Sequence, residues 1–172
     1  MTRRLVLALA LVPVVAVAWL GFRAVQAFDQ DRHAAEAAAV LAAPDKVSHE
    51  LPPVQAASPP GTPGGQFAYR PGTWLSVVNL QNLEPAAGDE RYLVFVRNWA
   101  GWTLAGAARP GADGTAQVRS GAEPRPPTIY EVIVTRAVDD ATSIPHGQPV
   151  LQWFDASLAP PMARRFDFAR GV

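Results

Sequence analysis

Histidines and paired acids are the side chains of this sequence best suited to catalysis or metal binding. His33, His49 and His146 lie far apart, and no two of them have the spacing of metal ligands. There is no glycine-rich phosphate loop and no serine elbow. The absence of cysteine also removes disulfides and thiolate nucleophiles. Asp139 and Asp140 are adjacent acids that can bind calcium weakly, but the alternating acids of a calcium loop are missing, which favours a solvated turn. We therefore predict no catalytic residue, no cofactor, no metal site and no enzymatic activity.

Tryptophan offers a second kind of chemistry, because an indole ring either fills a core or stacks on a ligand. In RYLVFVRNWAGWTLAG, residues 91–106, Asn98 to Gly101 has the composition of a hairpin turn. Trp99 and Trp102 flank this turn, and we expect one ring on each strand. Such cross-strand aromatics usually stabilise the sheet, which favours packing in a core or at its rim. The alternative is contact with a ligand or partner, in which Trp74 would join them as stacking surfaces for an envelope carbohydrate.

The N-terminus is expected to place these side chains outside the cytoplasm. Leu5 to Phe22 is an uncharged apolar run whose helical length is close to a hydrocarbon core of ~30 Å. Arg3 and Arg4, in a cytoplasmic tip at 1–4, should stay inside. The sequence thus predicts a single-pass protein of the cell membrane, with an extracytoplasmic C-terminal domain that is periplasmic or extracellular. A signal peptide cleaved after residues 25–27 is the alternative.

Between this span and the main domain, residues 23–43 are rich in alanine and predict a helical stalk that Pro44 ends. Small residues along one face of the stalk would permit self-association. A solvated spacer is the preferred interpretation. The formal net charge of 0 argues against a nucleic-acid partner.

Residues 44–155 have the texture of a β domain, with short runs rich in valine, isoleucine and aromatics between turn residues. Strands are predicted in the segments KVSHEL, QFAYRP, TWLSVVNL, RYLVFVRNW, WTLAGAARP, AQVRS, IYEVIVTRA and PVLQWFD. The proline- and glycine-rich residues 52–65 predict a loop. Because no helical period separates the strands, we predict a mainly β fold, an antiparallel β-sandwich.

The last segment, residues 156–172, alternates arginine and phenylalanine. Arg164, Arg165, Phe166 and Phe168 are candidates for contact with a partner, as a docking peptide, an edge strand or a patch at the membrane surface. A loosely ordered tail is the default for a chain terminus.

Turn and core motifs recur along the β domain, at Asn82-Leu83, Tyr92, Ala105-Gly106, Asp113-Gly114, Val134-Thr135 and Pro145-x-Gly147. In this order, over Ala42 to Trp153, they resemble the extracytoplasmic domain of the anti-sigma-K factor family. Two departures are Phe95, where the family usually has tryptophan, and Arg136 to Asp140, which replaces a Glu-Pro-x-Gly-Gly segment. The resemblance implies a β-sandwich and a membrane-tethered sensor or regulator.

Anti-sigma activity itself is not expected to transfer, because members of the family carry a cytoplasmic sigma-binding domain and only Met1 to Arg4 precede the predicted span. A sigma factor's interface normally takes ~800 Å² per partner. We expect a non-catalytic protein-binding module with a regulatory or sensory role, whose partner is another membrane or envelope protein. The alternatives are an accessory subunit of a larger membrane complex and a carbohydrate-binding module. A hydrolase would need a polar cluster that the sequence does not reveal.

Overall fold

The computed structural model describes residues 32, 34–54, 61–71, 73, 75–120, 128–138 and 142–161. The predicted span at 5–22 lies outside these ranges. Residues 34–42 are helical, and no helix among the described residues is long and apolar enough to cross a membrane. The chain divides into two compact units, Met1–Ala38 and Ala39–Val172, and every strand described below lies in the second.

Eight strands lie in the part of the chain that the structure describes, close to where the sequence predicts them. They are β1 (Val47–Leu51), β2 (Gly64–Tyr69), β3 (Ser76–Gln81), β4 (Arg91–Asn98), β5 (Gly101–Ala108), β6 (Ala116–Ser120), β7 (Glu131–Ala137) and β8 (Gln148–Phe154). The start of β2 at Gly64 falls inside the stretch predicted as a loop.

The strands form two four-stranded antiparallel sheets. Sheet A has the order β1-β2-β3-β6 and sheet B the order β5-β4-β7-β8. After β3 the chain crosses to sheet B for the β4–β5 hairpin, returns to sheet A as β6, and crosses again to β7. These crossovers between the two sheets are Greek-key-like connections. The prediction of a mainly β, antiparallel fold is confirmed.

Strand alternation explains how the two sheets pack. Tyr92, Val94 and Val96 of β4 point into a core that also takes Val132 and Val134 of β7. Sheet A contributes apolar side chains to the same core, among them Leu51, Phe67, Val78, Leu80 and Val118. Because one cluster draws on both sheets, the fold is a two-layer sandwich.

The outer face of sheet B is apolar as well. Leu93 and Phe95 point away from the main core and form a second cluster with Ala137, against which Trp102 and Leu104 pack. The alternation of β4 predicts these two opposite faces, and the structure confirms them. Strands buried on both faces read as continuous apolar runs, which accounts for the sequence YLVFV.

The sandwich is closed along both of its sides. On one side, Pro53 bridges to Leu151 of β8. Around this bridge, Val54 N donates to Val150 O at 2.9 Å and Gln152 N to Pro52 O at 3.0 Å. On the other side, β5 and β6 approach so closely that a Cβ on Gly106 would lie 2.8 Å from Cγ1 of Val118. A larger residue at position 106 would therefore have to displace the Val118 side chain.

Candidate binding surface at the β4–β5 hairpin

The β4–β5 hairpin has a two-residue turn, Trp99 and Ala100, closed by the pair Asn98 and Gly101. Asn98 Oδ1 accepts a hydrogen bond from Ala100 N at 2.8 Å, a local contact typical of asparagine in turns. Gly101 has a φ of 124°. The hairpin is as predicted, but placing Trp99 on a strand was wrong: it occupies the turn itself, because β4 ends at Asn98.

Trp99 is presented to solvent in a fixed orientation. The residue is 64% exposed, and its Nε1–H donates to the carbonyl oxygen of Leu158 at 3.0 Å. An indole has one donor and no acceptor, so this bond satisfies its only polar atom. The exposed part of the ring is therefore purely aromatic surface.

Trp102, two residues into the neighbouring strand, is half-buried against the second cluster. The guanidinium carbon of Arg97 lies 5.2 Å from the centroid of the Trp102 ring and 5.7 Å from that of Tyr130, which are cation–π distances. The predicted packing at a core rim thus describes Trp102, whereas Trp99 is exposed.

A buried ion pair between Arg97 and Glu131 holds the Arg97 side chain that lies against Trp102. Glu131 is 0% exposed. Its Oε2 accepts from Nη1 of Arg97 at 3.2 Å, and its Oε1 accepts from Nε2 of Gln152 at 2.8 Å. The pairing of Arg97 with Glu131 across β4 and β7 places the two side chains opposite each other. A buried carboxylate needs such partners because its desolvation is costly.

Two histidines lie in separate places among the described residues. His49 stacks on Trp153 with the ring centroids 3.9 Å apart, and its Nε2 is buried without a hydrogen-bond partner. Burial lowers the pKa of His49 below its usual value, and the nearby Asp155 carboxylate offsets part of that effect. His146 is a loop residue whose Nδ1 lies 3.2 Å from Oγ1 of Thr142. The structure does not bring these two residues into one site.

At the end of the sandwich opposite the hairpin, Arg136 holds the β3–β4 loop. Its Nε donates to Oε2 of Glu90 at 2.9 Å and its Nη1 to Oε2 of Glu84 at 3.0 Å. The Tyr92 hydroxyl donates to the carbonyl oxygen of Glu84 at 2.9 Å. Burial raises the pKa of Tyr92, so the phenol stays protonated as a donor. This cluster is a structural clamp.

Of the side chains predicted to contact a partner, the structure brings together Trp99 and Trp102 on one hairpin. Arg164, Arg165, Phe166 and Phe168 lie outside the described residues, as do Trp74, Asp139, Asp140 and His33. In the described ranges, no group of three histidine, aspartate or glutamate side chains could hold a metal ion.

Comparison of the chain with protein-family models, with characterised proteins and with solved structures found no match.

Proposed function

We propose that this protein is a membrane-tethered, non-catalytic module whose extracytoplasmic β-sandwich binds another protein in a regulatory or sensory role. The observation that carries the proposal is the fixed, exposed ring of Trp99 beside Arg97 and Trp102. These three residues are called the hairpin surface below. Tryptophan and arginine are the residues most enriched at the energetic centres of protein interfaces.

The hairpin surface is suited to binding because its parts are already held in place. The Nε1–H of Trp99 is bonded to Leu158, and Arg97 is held by Glu131. A side chain ordered before association loses little conformational entropy on binding, which otherwise costs about 0.5–1.5 kcal/mol per side chain.

The proposed tether is the apolar run at 5–22, followed by a stalk at 23–43. The chain enters the sandwich at β1, and β1 begins at the end that carries the hairpin, since His49 contacts Trp153 and Pro53 bridges to Leu151. Tethering raises the effective concentration for a partner in the same membrane without any new contact.

The resemblance to the anti-sigma-K extracytoplasmic domain supports a regulatory role. An accessory subunit of a larger membrane complex would use the same surface in a permanent interface. Carbohydrate stacking on Trp99 and Trp102 has less support, because Trp102 is half-buried and its ring carries the Arg97 guanidinium. A contribution from Arg164, Arg165, Phe166 and Phe168 stays a prediction.

Affinity capture of the full-length chain from a mild-detergent extract tests the proposal. Trp99→Ala should lose a partner that the unsubstituted chain retains, because a central tryptophan contributes about 2 kcal/mol or more to an interface. Ile144→Ala is the matched control, since Ile144 is also a large exposed apolar residue, 59% exposed, but lies in the β7–β8 loop. Recovery of the same proteins with both variants, or of this chain alone, would refute the proposal.

A further inference from the structure

The outer face of sheet A carries a groove that the hairpin surface does not use. Its volume is about 970 Å³. The polar side chains that line it are Glu50, Gln66, Asn79, Gln81, Thr115 and Gln117.

Four of these side chains form one row across the sheet. Glu50 pairs with Gln66, Gln66 with Asn79, and Asn79 with Gln117, so each strand of sheet A contributes one member. The neighbouring residues Leu51, Phe67, Leu80 and Val118 point into the core, so the row faces outward. With three strand spacings, the row is about 14 Å long.

Most side-chain donors and acceptors of the row have no hydrogen-bond partner among the described residues. Nε2 of Gln117 donates to Oδ1 of Asn79 at 2.8 Å. The second acceptor of this pair, Oε1 of Gln117, and the N–H groups of Asn79 make no hydrogen bond within the described residues, and neither does the side chain of Gln66. A carboxamide presents donors and an acceptor side by side, which matches a hydroxyl group because a hydroxyl also donates and accepts.

Charge and shape narrow the class of ligand. Among the described residues that line the groove, Glu50 is the single charged one, and no cation is among them. Phosphates and anionic polymers are therefore disfavoured. The groove also crosses all four strands of the sheet instead of running along one edge strand. An extended peptide gains its main-chain hydrogen bonds at a sheet edge, so the groove does not offer the usual way of binding one.

We propose that this groove binds a neutral oligosaccharide of several rings, whose hydroxyls bond to the carboxamides of Gln66, Asn79 and Gln117 and to the carboxylate of Glu50. The site is independent of the hairpin surface and of its partner.

Titration of the full-length ¹⁵N-labelled chain with defined tetramers, followed by NMR of the side-chain amides, tests this site. The chain is kept in a detergent that has no sugar head group, because a sugar head group would compete with the tetramers for the groove. The probes are neutral β-1,4-linked glucose and N-acetylglucosamine tetramers, an anionic galacturonate tetramer and a neutral pentapeptide. At least one neutral tetramer should shift the amide signals of Gln66, Asn79 and Gln117, and the galacturonate tetramer should shift none.

Substitution locates the site. Gln66→Ala and Asn79→Ala should each weaken binding about fivefold, the effect of one net hydrogen bond. Gln148→Ala is the matched control, because Gln148 is an exposed carboxamide on β8 of the other sheet. The affinity of this variant for the neutral tetramer should equal that of the unsubstituted chain. The inference is overturned if no neutral tetramer binds, if the pentapeptide or the galacturonate tetramer shifts the same amides, or if all three variants bind equally well.

Discussion

Replacing Gly147 with alanine should destabilise the fold far more than the same change at another glycine with positive φ. Gly147 has a φ of 83°, and an added Cβ would lie 2.4 Å from the carbonyl oxygen of Arg136 and 2.7 Å from Cβ of Ala137. Gly88 has a φ of 54°, but a Cβ there would meet nothing within 4 Å. Comparing Gly147→Ala with Gly88→Ala separates the effect of the positive φ, which both positions share, from the steric clash of the added Cβ, which occurs at Gly147 alone of the two.

The magnitude follows from these contacts. Alanine at either position carries the left-handed penalty of about 1–2 kcal/mol, partly offset by the lower entropy of its unfolded chain. Gly147→Ala must also move its Cβ from 2.4 Å to at least 3.4 Å, the start of ordinary contact. Because the obstacle is backbone of β7, this overpacking should add about 2–3 kcal/mol.

Urea unfolding of both variants, followed by tryptophan fluorescence, measures the difference. With a dependence of about 2 kcal/mol per molar urea, the midpoint of Gly147→Ala should lie about 1–1.5 M below that of Gly88→Ala. Equal midpoints would show that the loop before β8 shifts to accept the Cβ without lowering the free energy of unfolding. The reasoning from the contacts would then be wrong.

Three further predictions concern buried polar groups. Burial lowers the pKa of His49 in the folded state, so the unfolded chain takes up the proton at a higher pH than the folded chain does. The free energy of unfolding should therefore fall as the pH drops from 6.5 towards that lowered pKa. Urea unfolding at each pH should show that His49→Gln removes this part of the pH dependence. Arg97→Met takes a cation from the buried carboxylate of Glu131 and should cost about 3 kcal/mol. The double variant Arg97→Met/Glu131→Gln should recover part of that loss in the same assay, and no recovery would argue against the ion pair. Tyr92→Phe removes a hydroxyl that donates to a loop carbonyl and should lower the free energy of unfolding by about 1 kcal/mol, and an unchanged value would show that water replaces the bond.

The positions of the strands could be predicted because their residues alternate. In RYLVFVRN the pattern assigns Val94 and Val96 to one face and Leu93 and Phe95 to the other, as the structure shows. The order of strands in each sheet could not be predicted, because pairing joins residues far apart in the chain. Arg97, for example, pairs with Glu131.

The candidate site was predicted in part. A turn with tryptophans at Trp99 and Trp102 is visible in the sequence, but the exposure of each ring depends on Arg97 and on Leu158. The buried Glu131 was missed, although an acid within the apolar run IYEVIV is a signal that it needs a partner. The row of Glu50, Gln66, Asn79 and Gln117 was missed because its members come from four strands, and only the register aligns them.

The seam between β1 and β8 has a mechanical consequence. A pull applied through residues before Val47 enters the sandwich along β1. That strand is held by five residue pairs to β2, and the segment that follows it is bonded to β8. A pull directed along β1 would therefore act on both sets of bonds in shear and divide the tension between the two layers.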